Sequence, residues 1–386
     1  MNRLPSFIIF FTTFLTIYGL LHFYFYRKVI KAFDMGMVCH LSLIIVLCFL
    51  LLSPVIINVS KDTGSSLPAN IMAYVGYIWM AVLFLFFSIN ILIDFYRVIV
   101  HVSVRIFSAG FLRYIPEDRI TFIIVIIIIA AIHLYGWFEA GNITVESISL
   151  NTSKIPLKME RLRVVQISDT HFNPINGTRL ARRIESIVKE LEPDIMVSTG
   201  DLIDRSFSDM ESIAGYLRGL PAPYGKFATT GNHEFIGGIE EITGFTEKAG
   251  FKMLRNESVK VGDFLNIAAI DDPSVIRFGS GPLVSEDIVL DPLSPDRLNI
   301  FLKHQPRIVS NSIGKFDIQL SGHTHKGQIF PFTLVVSLFY PYLDGLFHLG
   351  NDSCLYVSRG TGTWGPPIRF LTFPEITVID FYHSKD

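Results

Sequence analysis

Gly322-His323-Thr324-His325 places two imidazoles one residue apart behind a glycine. Imidazole is the commonest protein ligand for a metal ion. On an extended segment alternate side chains share a face, so the two rings can aim at one point. A tight loop would do the same, with Gly322 allowing the bend. The pair alone is a weak signal. Matching donors upstream strengthen it: Asp169 and His171, Asp201 after Gly200, Asn232 and His233 after Gly231, and His304.

Each of these groups follows an apolar run of strand character. Residues 164–168 precede Asp169, 194–199 precede Asp201, 226–230 precede Asn232, and 298–302 precede His304. Short apolar runs bounded by Gly and polar residues predict buried strands. The donors therefore sit where strands end and loops begin. Between the strands, 178–190 repeats Leu180, Ile184 and Ile187 at helical spacing, and 209–220 and 240–249 predict further helices. Beyond about residue 252 the pattern turns strand-rich and ends in strands at 356–358 and 376–382. Such alternation gives an α/β or α+β class.

The ordered set Asp169-Thr170-His171, Gly200-Asp201, Gly231-Asn232-His233-Glu234, His304 and Gly322-His323-Thr324-His325 resembles the calcineurin-like metallophosphoesterase superfamily. Within it the chain resembles the YkuE-like, membrane-associated group over about residues 160–386. Ile270-Asp271-Asp272-Pro273 and the run 356–362 resemble the same group. Lys326, Thr170 and Asn173 depart from its pattern without removing a donor. The resemblance implies an α+β domain built as a two-sheet β-sandwich flanked by helices.

It also implies two divalent metal ions. Asp169, His171 and His325 would hold one, Asn232, His304 and His323 the other, and Asp201 would bridge them. Carboxylate and imidazole donors without thiolate suit Mn, Fe or Zn. A water shared by the ions would attack the phosphorus, with the metals clamping attacking and leaving oxygens. His233 would bind the phosphoryl group and protonate the leaving oxygen.

Taken singly each residue has an ordinary reading: Asp201 as a turn former, Asn232 as a loop former, His304 as a satisfied core histidine. Seven donors and His233 at successive strand ends outweigh those readings. Asp204 and Glu234 could orient ligating histidines or be solvated loop carboxylates. Arg359 could face a phosphate or pair with an acid.

The chain is 386 residues long and 50% hydrophobic, with a mean hydropathy of +0.43. The apolar excess lies before residue 140. Four stretches there, 7–26, 37–57, 71–93 and 120–137, match the roughly 20 residues that cross a bilayer. A cleaved signal peptide is disfavoured for the first, which is long and aromatic and lacks a small-x-small site. Domain bounds of 1–138 for the four-span α-helical membrane domain, 139–160 for a Ser/Thr-rich connector and 161–386 for the metallophosphoesterase domain follow. Strand content is expected at 143–150. No Asp, Glu, Lys or Arg lies inside the four stretches, which disfavours a transport route. His22, His40, His133 and Asn90 read as polar glue between helices or as interface-facing groups.

Arg27, Lys28 and Lys31 fill the first connection and Arg97, Arg105, Arg113 and Arg119 the third, while the opposite side holds Arg3 and Lys61. Basic loops stay cytoplasmic, so the catalytic domain should be extracytoplasmic, in a multi-pass protein of the cell membrane. Residues 94–119 would form either an interfacial helix or an extension of the third helix. A net charge of −2 points away from nucleic acid. Cys39, Cys48 and Cys354 read as packing residues rather than a disulfide framework.

The function expected is hydrolysis of a phosphodiester or phosphomonoester, with membrane lipids as neighbours and an amphiphilic, lipid-linked or envelope substrate. The apolar, aromatic run 329–343 beside the second histidine either supports that substrate class or closes the domain core. The alternatives are an inert phosphate-binding scaffold or sensor, and a cytoplasm-facing pyrophosphatase of a nucleotide-linked lipid.

Overall fold

The computed structural model describes residues 3–59, 67–174, 177–205, 207 and 209–384, with backbone alone at 3–10, 55–59 and 67–70. Two compact units divide the chain, Met1–Gly136 with Gly365–Pro367, and Trp137–Trp364 with Ile368–Asp386.

The first unit holds α1 (Arg3–Ala32), α2 (Met37–Val59), α3 (Leu67–Ile106) and most of α4 (Asp118–Gly141). Among the described residues three stretches are long and apolar enough to cross a membrane: Met37–Pro54, Ile71–Ile106 and Ala109–Gly141. The expected span 7–26 lies on α1, but the side chains of residues 7–10 fall outside the description, as does Lys61. Phe25, Phe86 and Phe122 pack together, with centroids 4.7–6.0 Å apart. Trp79 Nε1 donates to His22 Nε2 of another helix at 2.9 Å, which is the expected polar glue, whereas Asn90 donates to the Phe86 carbonyl of its own helix at 3.0 Å.

The third helix continues well past residue 93, so the basic stretch begins as its extension rather than as a separate helix. The continuation carries Asp94 and Arg97, which lie beyond the expected span 71–93. Both are paired: Lys28 lies 2.5 Å from Asp94, and Arg97 2.7 Å from Asp118. An ion in a poor dielectric needs such a partner.

In the second unit, six strands form one sheet: β1 (Thr144–Thr152), β2 (Arg161–Ile167), β3 (Ile195–Ser198), β4 (Lys226–Ala228), β5 (Lys252–Met253) and β12 (Glu375–His383), in the order β1-β12-β2-β3-β4-β5. The other is β10-β11-β9-β8-β7-β6, from β6 (Glu257–Val261), β7 (Leu265–Ala269), β8 (Leu298–Leu302), β9 (Ile318–Ser321), β10 (Gly345–Gly350) and β11 (Ser353–Val357). Both sheets are mixed. β2, β3 and β4 are parallel neighbours, as are β8 and β9. β1 pairs along its whole length with β12, so the stretch read as a connector supplies a strand of this unit.

Alternation along each strand builds two cores. Val164, Ile195, Val197, Ile267, Ile300 and Leu320 meet between the sheets. Val165, Ile167 and Met196 point the other way, onto α5 (Gly177–Leu191), α6 (Met210–Arg218) and α8 (Ile239–Lys248). Strands covered on both faces read as continuous apolar runs, which is why they were visible in the sequence. On α5 the buried face is Ala181, Ile184 and Val188, flanked by Leu180 and Ile187. Cys354 is buried as expected, and all three cysteines are free.

Candidate metal centre

The parallel register of β2, β3 and β4 brings their carboxyl ends to one edge, and β8 with β9 does the same in the facing sheet. Asp169 and His171 follow β2, Asp201 follows β3, Asn232 and His233 open α7 (Asn232–Gly237) beyond β4, His304 follows β8, and His323 and His325 follow β9. Five of these residues take left-handed backbone angles: Asp169, His171, Asp201, His323 and His325, with φ between 46° and 72°. Strain of this kind concentrates at functional sites. Gly322 is required for a different reason from the expected bend. A Cβ there would stand 2.0 Å from Ser168 Oγ and 2.1 Å from Asp169 Oδ2, so the glycine lets the His323 loop close onto Asp169. The His323 amide then donates to both Asp169 oxygens at 3.0 Å.

All eight predicted residues converge. Asp169, His171 and His325 form one cluster, and Asp201, His304 and His323 another, with donor atoms inside each within 4.8 Å. Asp201 Oδ2 faces both, 3.7 Å from His171 Nε2 and 3.3 Å from His304 Nε2. Asn232 Oδ1 lies 3.2 Å from His304 Nε2.

Outer hydrogen bonds decide which ring nitrogens turn inward. His171 Nδ1 donates to Asp204 at 2.6 Å, and His304 Nδ1 donates to the Thr199 carbonyl at 2.8 Å. His323 Nε2 donates to the Tyr340 hydroxyl at 2.8 Å. The lone pairs of His171 Nε2, His304 Nε2 and His323 Nδ1 therefore point into the cluster. His323 Nδ1 is 3.1 Å from His304 Nε2, and His171 Nε2 is 3.0 Å from His325 Nε2. His325 differs, because its Nδ1 faces the Arg369 guanidinium at 3.2 Å. Converging lone pairs and buried carboxylates repel one another unless cations lie between them, so the residues fit a pair of divalent ions.

Burial and neighbouring charges shift these groups; burial opposes the charge on His304, yet Asp201 and Asp169 raise it well above its ordinary value. Burial raises the Asp169 carboxyl above its ordinary range. Burial opposes the charge on Asp201, yet His304 and His233 hold it well below. Burial, with His304 beside it, pushes His323 down to about 3. His233 goes the other way: burial opposes its charge, but Asp201 and Asp204 raise it to about 9.

The less certain residues separate cleanly. Asp204 holds both His171 and, at 2.9 Å, His233 Nδ1. Glu234 orients no histidine. Its carboxylate accepts the buried amides of Gly231, Asp201 and Leu202 at 2.7, 3.0 and 2.9 Å. Arg359 is structural, paired with Glu146 and, at 2.5 Å, with Glu375. Lys326 pairs with Asp344 at 3.0 Å.

Two residues went unrecognised in the sequence. Tyr340 was noted only as part of an apolar run. Arg369 is fully buried, donates to the carbonyls of Gly360, Gly362 and Thr372, and reaches His325. A lone arginine in the apolar run Ile368-Arg369-Phe370-Leu371 was its only signal.

The signature of the calcineurin-like phosphoesterases matches residues 162–327, the stretch that supplies every donor above. The uncharacterized metallophosphoesterase YkuE of Bacillus subtilis is 31% identical over 259 residues, covering 63% of this chain and 88% of its own.

The chain belongs to the calcineurin-like phosphoesterase family.

Uncharacterized metallophosphoesterase Cj0846 of Campylobacter jejuni is 29% identical over 98% of this chain and 100% of its own length, apolar helices included. A Danio rerio relative, "Transmembrane protein with metallophosphoesterase domain", is 32% identical over 67% of this chain and 62% of its own. As a calcineurin-like phosphoesterase the chain is a metal-dependent hydrolase of phosphoesters. That sets aside the inert scaffold. Enzymes of this family use a dimetal centre, and the Asp and His clusters are the groups that could hold one here.

Proposed function

We propose a membrane-anchored phosphoesterase that holds two divalent cations among these residues and hydrolyses a phosphoester carried by an amphiphile. The observation that carries the reading is Asp201, buried between two donor clusters and facing both. Asp169, His171 and His325 hold one ion, and Asn232, His304 and His323 the other. Bound ions of this kind supply positive charge toward a phosphoryl group and an activated water. His171, His304 and His323 keep their lone pairs inward because Asp204, Thr199 and Tyr340 occupy their outer nitrogens. His233 is partly accessible, its side chain 13% exposed and anchored through Nδ1 on Asp204. Its Nε2 is free to give a proton to the leaving oxygen.

The substrate class rests on the run 329–343. Apart from Ile329, which is buried, its apolar residues stay out of the core. Leu338 is 81% exposed and Phe339 66% exposed, and no residue of α11 (Phe332–Val336) is buried. Trp364, 53% exposed, stands with its ring 6.2 Å from that of His233. Apolar side chains in water beside a phosphoesterase site suit acyl or prenyl chains. Tethering through apolar helices raises the local concentration of such substrates.

The anchor includes α1 as a fourth span. The basic first and third connections support a phosphoesterase unit outside the cytoplasm. This orientation holds whether or not α1 crosses, because Arg27, Lys28 and Lys31 precede α2 in either case.

The test is turnover by the full chain in detergent with Mn, Zn or Fe added. Chelation should abolish it, and activity indifferent to chelator would overturn the metal reading. Replacing Leu338 and Phe339 by Ser should lower turnover of a vesicle-borne lipid phosphoester and spare bis(p-nitrophenyl) phosphate. Equal loss on both would overturn the amphiphile reading.

A further inference from the structure

Tyr340 ties the exposed apolar run to the centre. Its hydroxyl accepts from His323 Nε2 at 2.8 Å and donates to Gln305 Oε1 at 3.3 Å. Gln305 is held in turn by Asp272 at 2.8 Å. Over the Tyr340 ring lies Arg307, its guanidinium carbon 4.9 Å from the centroid. Arg307 Nε donates to the same Gln305 oxygen at 3.3 Å. Two contacts thus fix the plane of the guanidinium, and a fork held in this way loses less freedom on binding an oxyanion.

Other cations around the site have acids. Lys303 lies 2.5 Å from Glu286, Lys326 pairs with Asp344, Arg255 with Asp271, and Arg359 with Glu375. Arg307 is exposed and has no carboxylate within ion-pair distance among the described residues. Among the described residues neither of its amino groups has a hydrogen-bond partner. Its distance from the centre is short, since the Tyr340 ring that carries it has its centroid 5.1 Å from that of His323. A free, preoriented guanidinium one aromatic ring away from a phosphoester site is placed for a second oxyanion on the same substrate.

We propose that Arg307, seated on Tyr340 and Gln305, is a subsite for a second phosphate of the substrate. The reading rests on the phosphoesterase assignment above and narrows it. The preferred substrate is an amphiphile bearing two phosphate groups, one cleaved at the centre and one held by Arg307. Leu338 and Phe339, two residues and one residue before Tyr340, are exposed on the same short segment, so an apolar part of the same molecule would be met near the anionic one.

Binding decides this independently of turnover. The full chain in detergent, loaded with Mn, is titrated calorimetrically with glycerol 1-phosphate and with glycerol 1,3-bisphosphate. The wild type should bind the bisphosphate about tenfold more tightly, the scale of one charge-assisted fork. Arg307→Gln should remove that preference and keep the affinity for glycerol 1-phosphate. Arg307→Lys should keep part of the preference, which a purely structural role would not produce. Equal affinities in the wild type, or a preference that survives Arg307→Gln, would overturn the subsite. Absence of turnover would count against the phosphoesterase reading alone.

Discussion

Asp204 is the residue whose removal tests the geometry most sharply, because one carboxylate serves two rings. Its Oδ1 accepts from His171 Nδ1 at 2.6 Å and from His233 Nδ1 at 2.9 Å. Burial opposes its charge, yet His171 and His233 hold it well below the ordinary carboxylate range, so it carries its charge at neutral pH. Asp204→Ala removes both acceptors at once. Loss of an outer partner from a metal-bound histidine lowers metal affinity roughly 10- to 100-fold. That corresponds to about 1.4–2.8 kcal/mol. The ion held by Asp169, His171 and His325 should weaken by that factor, and the other ion much less. Saturating metal should restore occupancy but not full rate, because His233 has also lost its anchor, and a remaining deficit of roughly tenfold in kcat is expected. Asp204→Asn keeps one acceptor oxygen without the charge and should fall between wild type and alanine. Metal titration followed by calorimetry, with kcat measured at saturating Mn, gives both quantities. Unchanged metal affinity and unchanged kcat in Asp204→Ala would refute the assignment of Asp204 as the group that orients the two rings.

His233→Ala should lower kcat by roughly 100-fold while both metals stay bound, as expected for a proton donor that ligates neither ion; metal content and turnover measured on one preparation check it, and loss of a metal would make His233 a ligand instead. Glu234→Ala should act on stability, since three buried amides lose their acceptor, each at about 1–3 kcal/mol. A large fall in the thermal midpoint of the phosphoesterase unit is expected, and an unchanged midpoint would show that water replaces the carboxylate.

Much of this was legible in the sequence because the strands are buried on both faces. Val164-Val165-Gln166-Ile167 and Ile195-Met196-Val197 stand out as apolar runs, and each donor follows directly. Long-range pairing was not legible. β1 joins β12 across more than two hundred residues, so the strand content expected at 143–150 had no visible partner and the stretch was assigned to a connector. Its residues alternate between half-buried and exposed, which gives no apolar run. Arg359 pairs with Glu146 on that strand, a contact that sequence proximity could not suggest. Arg369 escaped for a similar reason. Its partners are mainly backbone carbonyls, and carbonyls have no residue type to read. The run 329–343 shows the limit of composition. Apolar residues before Tyr340 predict burial, yet Leu338 and Phe339 are exposed while Ile329 is buried and Tyr340 turns inward to His323.

In the proposed centre Asp201 is shared by two cations. The most direct test is metal stoichiometry of the purified full chain by elemental analysis, compared with Asp201→Asn. Two equivalents of Mn, Zn or Fe per chain are predicted for the wild type, and fewer than one for the variant, with turnover lost in parallel. A single equivalent in both proteins, or full turnover by metal-free wild type, would contradict the account.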